Sequence, residues 1–120
     1  MTPYERLEAW QLSHALVLAV YRLTSGWPVT ERYGLVSQVQ RAATSIPTNL
    51  VEGAAKRGPR EFRRYLDISL GSLSERTYLL RLCHDLGFMS AEEIEQVETM
   101  RERAGQVTWG LYRAISRKAQ

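Results

Sequence analysis

A single cysteine, Cys83, and two isolated histidines, His14 and His84, are all that 120 residues supply in thiols and imidazoles. One cysteine excludes an intrachain disulfide and any multi-cysteine metal site. Set among Leu80-Arg-Leu-Cys-His-Asp-Leu86, it reads as a small buried hydrophobe rather than a reactive thiol. The Glu-x-x-His signature of carboxylate-bridged di-metal bundles is missing. Each histidine sits near an apolar stripe, so each is expected to be a hydrogen-bonded core residue and not a ligand. Also missing are a G-x-S-x-G elbow, a phosphate loop and a G-x-G-x-x-G turn, which disfavours serine hydrolases and nucleotide enzymes. No cofactor and no catalytic centre are expected.

Long hydrophobic runs are lacking too. The longest, Ala15 to Tyr21, is flanked by His14 and Arg22 and falls far short of the roughly 18 residues of a membrane span. The start, Met-Thr-Pro-Tyr-Glu-Arg, has neither the basic head nor the apolar core of a secretory signal, and a cytoplasmic location is expected. Net charge is +3, which permits an anionic partner without requiring one.

What is present is helical periodicity, which predicts a single all-α domain over residues 1–120. Thr2-Pro-Tyr-Glu5 has the form of a capping box with proline at the first helical position, so helix one is expected to begin there. Its apolar rows are Leu7, Trp10, His14, Val17 and Tyr21, and Leu12, Leu16, Ala19 and Leu23. Two rows exceed the need of one small core, so part of this helix is expected to face another subunit. Ser25-Gly-Trp-Pro-Val-Thr30 ends it, with Gly26 suited to a C-terminal cap.

Helix two is predicted over about 31–56, with Val36, Val39, Ala43, Ile46, Leu50 and Ala54 as its core stripe. Gln38, Arg41, Ser45, Asn49 and Glu52 form a polar row expected to be a subunit-facing or hydrogen-bonded seam, and Pro47 predicts a kink or brief break. Pro59 opens helix three, whose stripe is Phe62, Leu66, Ser69, Leu73, Leu80 and His84, with Ile68, Leu79, Leu82 and Leu86 as a second apolar side. Gly87-Phe88 closes it. Ser90-Ala-Glu-Glu93 is a second capping box, and Ile94, Val97, Ala104, Leu111 and Ile115 mark helix four. Connections this short predict an antiparallel, up-down-up-down four-helix bundle. Gly71, inside a helix, should cost about 1 kcal/mol relative to alanine, which close packing is expected to recover.

The most informative charges are Lys56, Arg57, Arg60, Arg63 and Arg64, +5 against −1 from Glu61 within nine residues. Lys56 and Arg57 suit a helix C-terminus. Arg60, Arg63 and Arg64 fall at a helix N-terminus, where the dipole disfavours cations by about 0.3–1 kcal/mol each. A bound anion reverses that sign, so the corner reads either as a nucleic-acid backbone contact or as a solvated basic face. Arg113, Arg117 and Lys118 likewise suit a helix C-terminus, and are also placed to extend a basic surface. Trp10, Trp27 and Trp109 look too dispersed for a base-stacking platform; packing is expected for Trp10, and Trp27 is placed to plug an end of the bundle.

The segments Leu7-Glu-Ala-Trp-Gln11, Trp27-Pro28, Glu31-Arg-Tyr-Gly-Leu35, Arg41-Ala-Ala-Thr-Ser-Ile-Pro-Thr-Asn-Leu-Val-Glu-Gly53 and Gly71-Ser-Leu-Ser-Glu75 carry a likeness that spans nearly the whole chain. The sequence resembles the 23S rRNA intervening sequence proteins, or S23 family, which also includes accessory proteins of diversity-generating retroelements. It departs from that pattern at Trp27, where Phe is common, Gln40, where Arg is common, and Ser69, where Ala is usual. The resemblance implies a homopentamer associated with RNA or DNA, with Arg41 and the Lys56–Arg64 corner as candidate contacts. The alternative expectation is a protein-interaction or scaffold subunit, for example a partner of a reverse transcriptase.

Overall fold

The computed structural model describes residues 2–120, an elongated body of 46 × 23 × 22 Å. Four α-helices account for it: α1 (Glu8–Thr24), α2 (Ser37–Ala54), α3 (Pro59–Asp85) and α4 (Ala91–Lys118). Contacts along their lengths fix their directions. On α2 and α3, Gly53 meets Phe62 and Tyr65, while Ile46 and Ser45 meet Ser69 and Ser72. On α1 and α4, Glu8 pairs with Arg103, and Trp27 beyond α1 meets Phe88 ahead of α4. Neighbouring helices therefore run in opposite directions. α1 packs on α2 and α4, and α3 packs on the same two, which sets α1 and α3 at opposite corners.

The caps show why the chain turns where it does. Ser90 and Glu93 exchange both capping-box bonds, at 2.9 and 3.1 Å. At the end of α3, Gly87 takes a positive φ of 83°, its N–H donates to the His84 carbonyl, and the Phe88 N–H donates to the Cys83 carbonyl, both at 3.0 Å. That is the paired-bond glycine terminus. Gly58, at φ 86°, gives the equivalent reversal before Pro59.

The first two helices begin later than their sequences suggest. Glu5 does bond the Thr2 N–H, at 3.1 Å, but the box closes only a 3-10 turn, Pro3–Arg6. Leu7 is extended, and α1 starts at Glu8. A 3-10 turn, Val29–Glu31, and a π-helical turn, Arg32–Val36, likewise precede α2. Gly26 does not take the left-handed conformation.

The main core gathers Leu16, Val20, Val39, Ala43, Ile46, Leu73, Leu79, Leu80, Cys83 and Val97. A smaller cluster of Ala9, Leu50 and Leu66 lies towards the opposite end. The α2 stripe matches its pattern from Val39 to Leu50, whereas α1 is rotated from the expected face. Its buried residues are Ala9, Ser13, Leu16, Val17, Val20 and Thr24. Ser13 and Thr24 are admitted because each hydroxyl donates to the carbonyl four residues back, Ala9 at 2.7 Å and Val20 at 2.9 Å. The rotation leaves Leu18 and Tyr21 exposed, and His14 with them.

On α3, Ile68, His84 and Leu86 are exposed instead of packed. Neither histidine is a core residue. His14 stacks on Trp10 at 4.9 Å, and His84 Nδ1 lies 3.6 Å from Asp85. Pro47 is buried within α2, whose helical run continues through it, and the Ile46 carbonyl accepts from the Ser69 hydroxyl at 2.9 Å.

Two glycines divide. A Cβ on Gly53 would come within 2.9 Å of Phe62 Cδ1 and Tyr65 Cβ, so the small residue is what lets α2 and α3 approach. Gly71 faces open space, and the expectation that close packing recovers its cost fails.

Candidate nucleic-acid interface

The basic corner is built where α2 ends and α3 begins. Gly58 precedes α3 and offers no side-chain cap, so the first-turn N–H groups face outward beside the arginines. Lys56 Nζ stands 4.0 Å from Glu52 and 5.6 Å from the centre of the Tyr65 ring. The Arg64 guanidinium lies over the same ring at 4.9 Å and pairs with Glu61 at 3.3 Å. Tyr65 thus orders two cations across the turn, while both pairs stay in solvent and contribute little to stability. Arg57 is exposed and Arg63 half-buried; neither forms an ion pair among the described residues.

Arg60 makes the tertiary link: its Nε donates to the Ala119 carbonyl at 3.5 Å. That contact sets the end of α4 against the start of α3 and adds Arg113, Arg117 and Lys118, all exposed, to the same end of the bundle. The α3–α4 pair is consequently polarised. Its other end carries Asp85, Glu92, Glu93 and Glu95, offset by Arg81, which pairs with Asp85 at 3.2 Å.

Arg41 is not brought into this group. It is exposed on α2, fifteen residues before Lys56, which is roughly 22 Å along a helix axis. The polar row it belongs to splits. Ser45 and Asn49 form a half-buried seam, with the Ser72 hydroxyl donating to Ser45 Oγ at 2.9 Å and the Asn49 amide donating to the Ser45 carbonyl at 2.7 Å. Gln38, Arg41 and Glu52 stay in solvent.

Three features were not read from the sequence. Trp10 and Trp109 are not scattered: Trp10 and Tyr112 pack around the same Ala9–Leu50–Leu66 cluster, and Tyr112 stacks on Trp109. A groove of about 550 Å³ runs between α3 and α4 at the acidic end, lined by Leu80, Ile94, His84, Asp85 and Glu98 among others. Among the described residues no three of His, Cys, Asp or Glu gather as a metal site.

The third feature is Arg76, fully buried in α3 beside the core leucines, with no hydrogen-bond partner for its three side-chain nitrogens among the described residues. Glu98 is its nearest opposing charge, but Arg101 holds that carboxylate at 3.0 Å. Burial pushes the Arg76 guanidinium down to about 10, so it remains charged at neutral pH. The buried Cys83 thiol is pushed up to about 11, again by burial, and is neutral there.

The fold and this end define a helical bundle with one strongly cationic tip, and among the described residues no helix is long and apolar enough to cross a membrane. The family is settled by comparison. Residues 5–110 match the model of the 23S rRNA-intervening sequence protein family, and the chain belongs to it. It is also similar to a crystal structure from Bacteroides thetaiotaomicron VPI-5482, a protein of unknown function from the S23 ribosomal protein family. The TM-score is 0.81 at 18% identity, over 88% of this chain and 95% of that one. That likeness establishes the shared fold. No curated protein matches the sequence significantly.

Proposed function

We propose that this protein is a non-enzymatic, oligomeric nucleic-acid-binding protein that grips RNA or DNA phosphates with the basic tip. The observation that carries the reading is the Arg60–Ala119 contact. It joins Lys56, Arg57, Arg60, Arg63 and Arg64 to Arg113, Arg117 and Lys118, two clusters some fifty residues apart in sequence. Arg60, Arg63 and Arg64, held at an uncapped helix N-terminus, are unfavourable there alone and favourable around phosphate, and the cations at the ends of α2 and α4 enlarge the surface.

Self-association completes the reading. Leu18 and Tyr21 are 42% and 45% exposed on α1, and Ile68 and Tyr78 are 42% and 66% exposed on α3. Apolar faces at opposite corners favour head-to-tail contacts that close into a ring, in keeping with the pentamer that the family resemblance implies. Several tips on one ring would add weak phosphate contacts as avidity. The setting of such a task would be the cytoplasm.

Filter binding of a structured RNA at several salt concentrations tests it. Affinity should fall steeply with salt, and reversing the charges of Arg60, Arg63 and Arg64 should abolish binding and flatten the salt slope. An RNA that does not bind at low salt, or binds this variant unchanged, removes the reading. The α3–α4 groove favours the alternative, a scaffold subunit docking a protein such as a reverse transcriptase. Co-purification of such a partner without nucleic acid would select it.

A further inference from the structure

Besides its charge, the stretch of α4 that leads to the basic tip carries an exposed aromatic side chain, Trp109. Trp109 is 49% exposed, and its ring lies parallel to that of Tyr112, with centroids 5.3 Å apart and 9° between planes. Tyr112 is half-buried against the Ala9–Leu50–Leu66 cluster, so it fixes the indole from one side. Arg113 and Arg117 follow Trp109 by four and eight residues, which sets them in one row along the outer face of α4, running towards the tip. On the neighbouring α1 a second parallel pair, Trp10 and His14, stands 4.9 Å apart with 8° between planes, and Trp10 packs against the same cluster.

We propose that the Trp109–Tyr112 stack is a platform for unpaired bases, so that the nucleic acid taken at the basic tip is single-stranded at the point of contact. This rests on the phosphate-binding reading above and narrows its substrate. A duplex hides the faces of its bases and offers phosphates alone; a strand or loop offers both. An indole fixed in plane loses little conformational freedom when a base stacks on it, and a cation row beside it gives the adjoining phosphates a track. The charge beside the stack selects a nucleic acid over an apolar partner as its occupant.

The test uses the full chain as it purifies, with labelled oligouridylate and an RNA duplex of equal length, measured by fluorescence anisotropy at one salt concentration. The wild type should favour the single strand. Trp109→Ala should weaken strand binding about tenfold and leave duplex binding unchanged, while Trp109→Phe should restore most of the loss. Equal effects on strand and duplex, or no effect on either, overturn the proposal even if Arg60, Arg63 and Arg64 charge reversal still abolishes binding. If neither RNA binds the wild type, the proposal falls together with the reading beneath it. Light scattering supplies an independent arm: a change of assembly size in Trp109→Ala would make the stack a subunit contact and overturn the proposal.

Discussion

At the end where Trp27 meets Phe88, the rings lie 5.5 Å apart over a deep core that reaches through Val20, Val39, Leu80 and Val97. At the other end the enclosed apolar cluster is a small one, Ala9, Leu50 and Leu66, and Phe62, Trp10, Tyr112 and Ile115 surround it half-buried. The cations sit at the second end. Crowded like charges must stay hydrated, so the tip that gathers them cannot be sealed under apolar cover as the first end is. Local opening should therefore be easier at the tip, which suits a surface that adapts to a flexible strand.

The sharpest way to break this contrast is to empty the deep core. Ile46→Ala should destabilise the protein by about 2–5 kcal/mol in urea unfolding. A smaller value would mean that the core can collapse around the loss. Arg76→Met should act with the opposite sign, raising stability by about 1–4 kcal/mol, because it removes an unpaired buried charge while keeping most of the volume.

The pH profile separates the two buried groups beside that core. Burial lowers the Arg76 pKa to about 10, so its penalty is fully present below pH 10 and is relieved as pH rises above it. Cys83, raised from 9.0 to about 11, contributes stability below pH 9 that is lost as pH rises to 11. Arg76→Met should abolish the first trend and, by removing a nearby positive charge, move the second further towards alkaline pH, as read by chemical denaturation across alkaline pH.

Substitution at Gly53 tests the tip. Gly53→Ala should cost about 1–3 kcal/mol by forcing α2 from Phe62 and Tyr65, and should weaken RNA binding with it by displacing the ring that orders Lys56 and Arg64. Ser90→Ala should cost about 1 kcal/mol at the far end and leave binding alone. The smallest effect is Gly71→Ala, a gain of roughly 0.5–1 kcal/mol, since its Cβ would meet nothing.

Much of the fold is legible residue by residue. Ser90 with Glu93, Gly87 with Phe88, and Val39 through Leu50 are local signals that the structure keeps. The α1 face is harder, because Ser13 and Thr24 read as polar until their hydroxyls are seen bonded within their own helix. Trp10, His14 and Tyr21 formed the more persuasive stripe on paper. Arg76 falls on the α3 core stripe between Leu73 and Leu80, but its residue type misleads: a cation within an apolar row looks like a surface position. The Lys56–Arg64 run is legible because it is contiguous, but its union with the end of α4 needs a tertiary contact that no spacing encodes. For the same reason the pairing of Trp109 with Tyr112 is visible as an i, i+3 relation, whereas its arrival beside Trp10 is not.

The close approach at Gly53 also bears on the order in which the chain acquires its structure. α2 and α3 are joined by four residues, 55–58, and are locked by Gly53, Ser69 and Ser72, contacts that require only short loops to close. α1 needs α4 to cover its second side, and α4 leaves the ribosome after the other three helices. During synthesis the α2–α3 hairpin can form as a local unit while α1 waits half-covered. Its Leu16–Val20 face is then transiently open to a neighbouring nascent copy, and an exchange of α1 between chains becomes a route to assembly that competes with the correct fold.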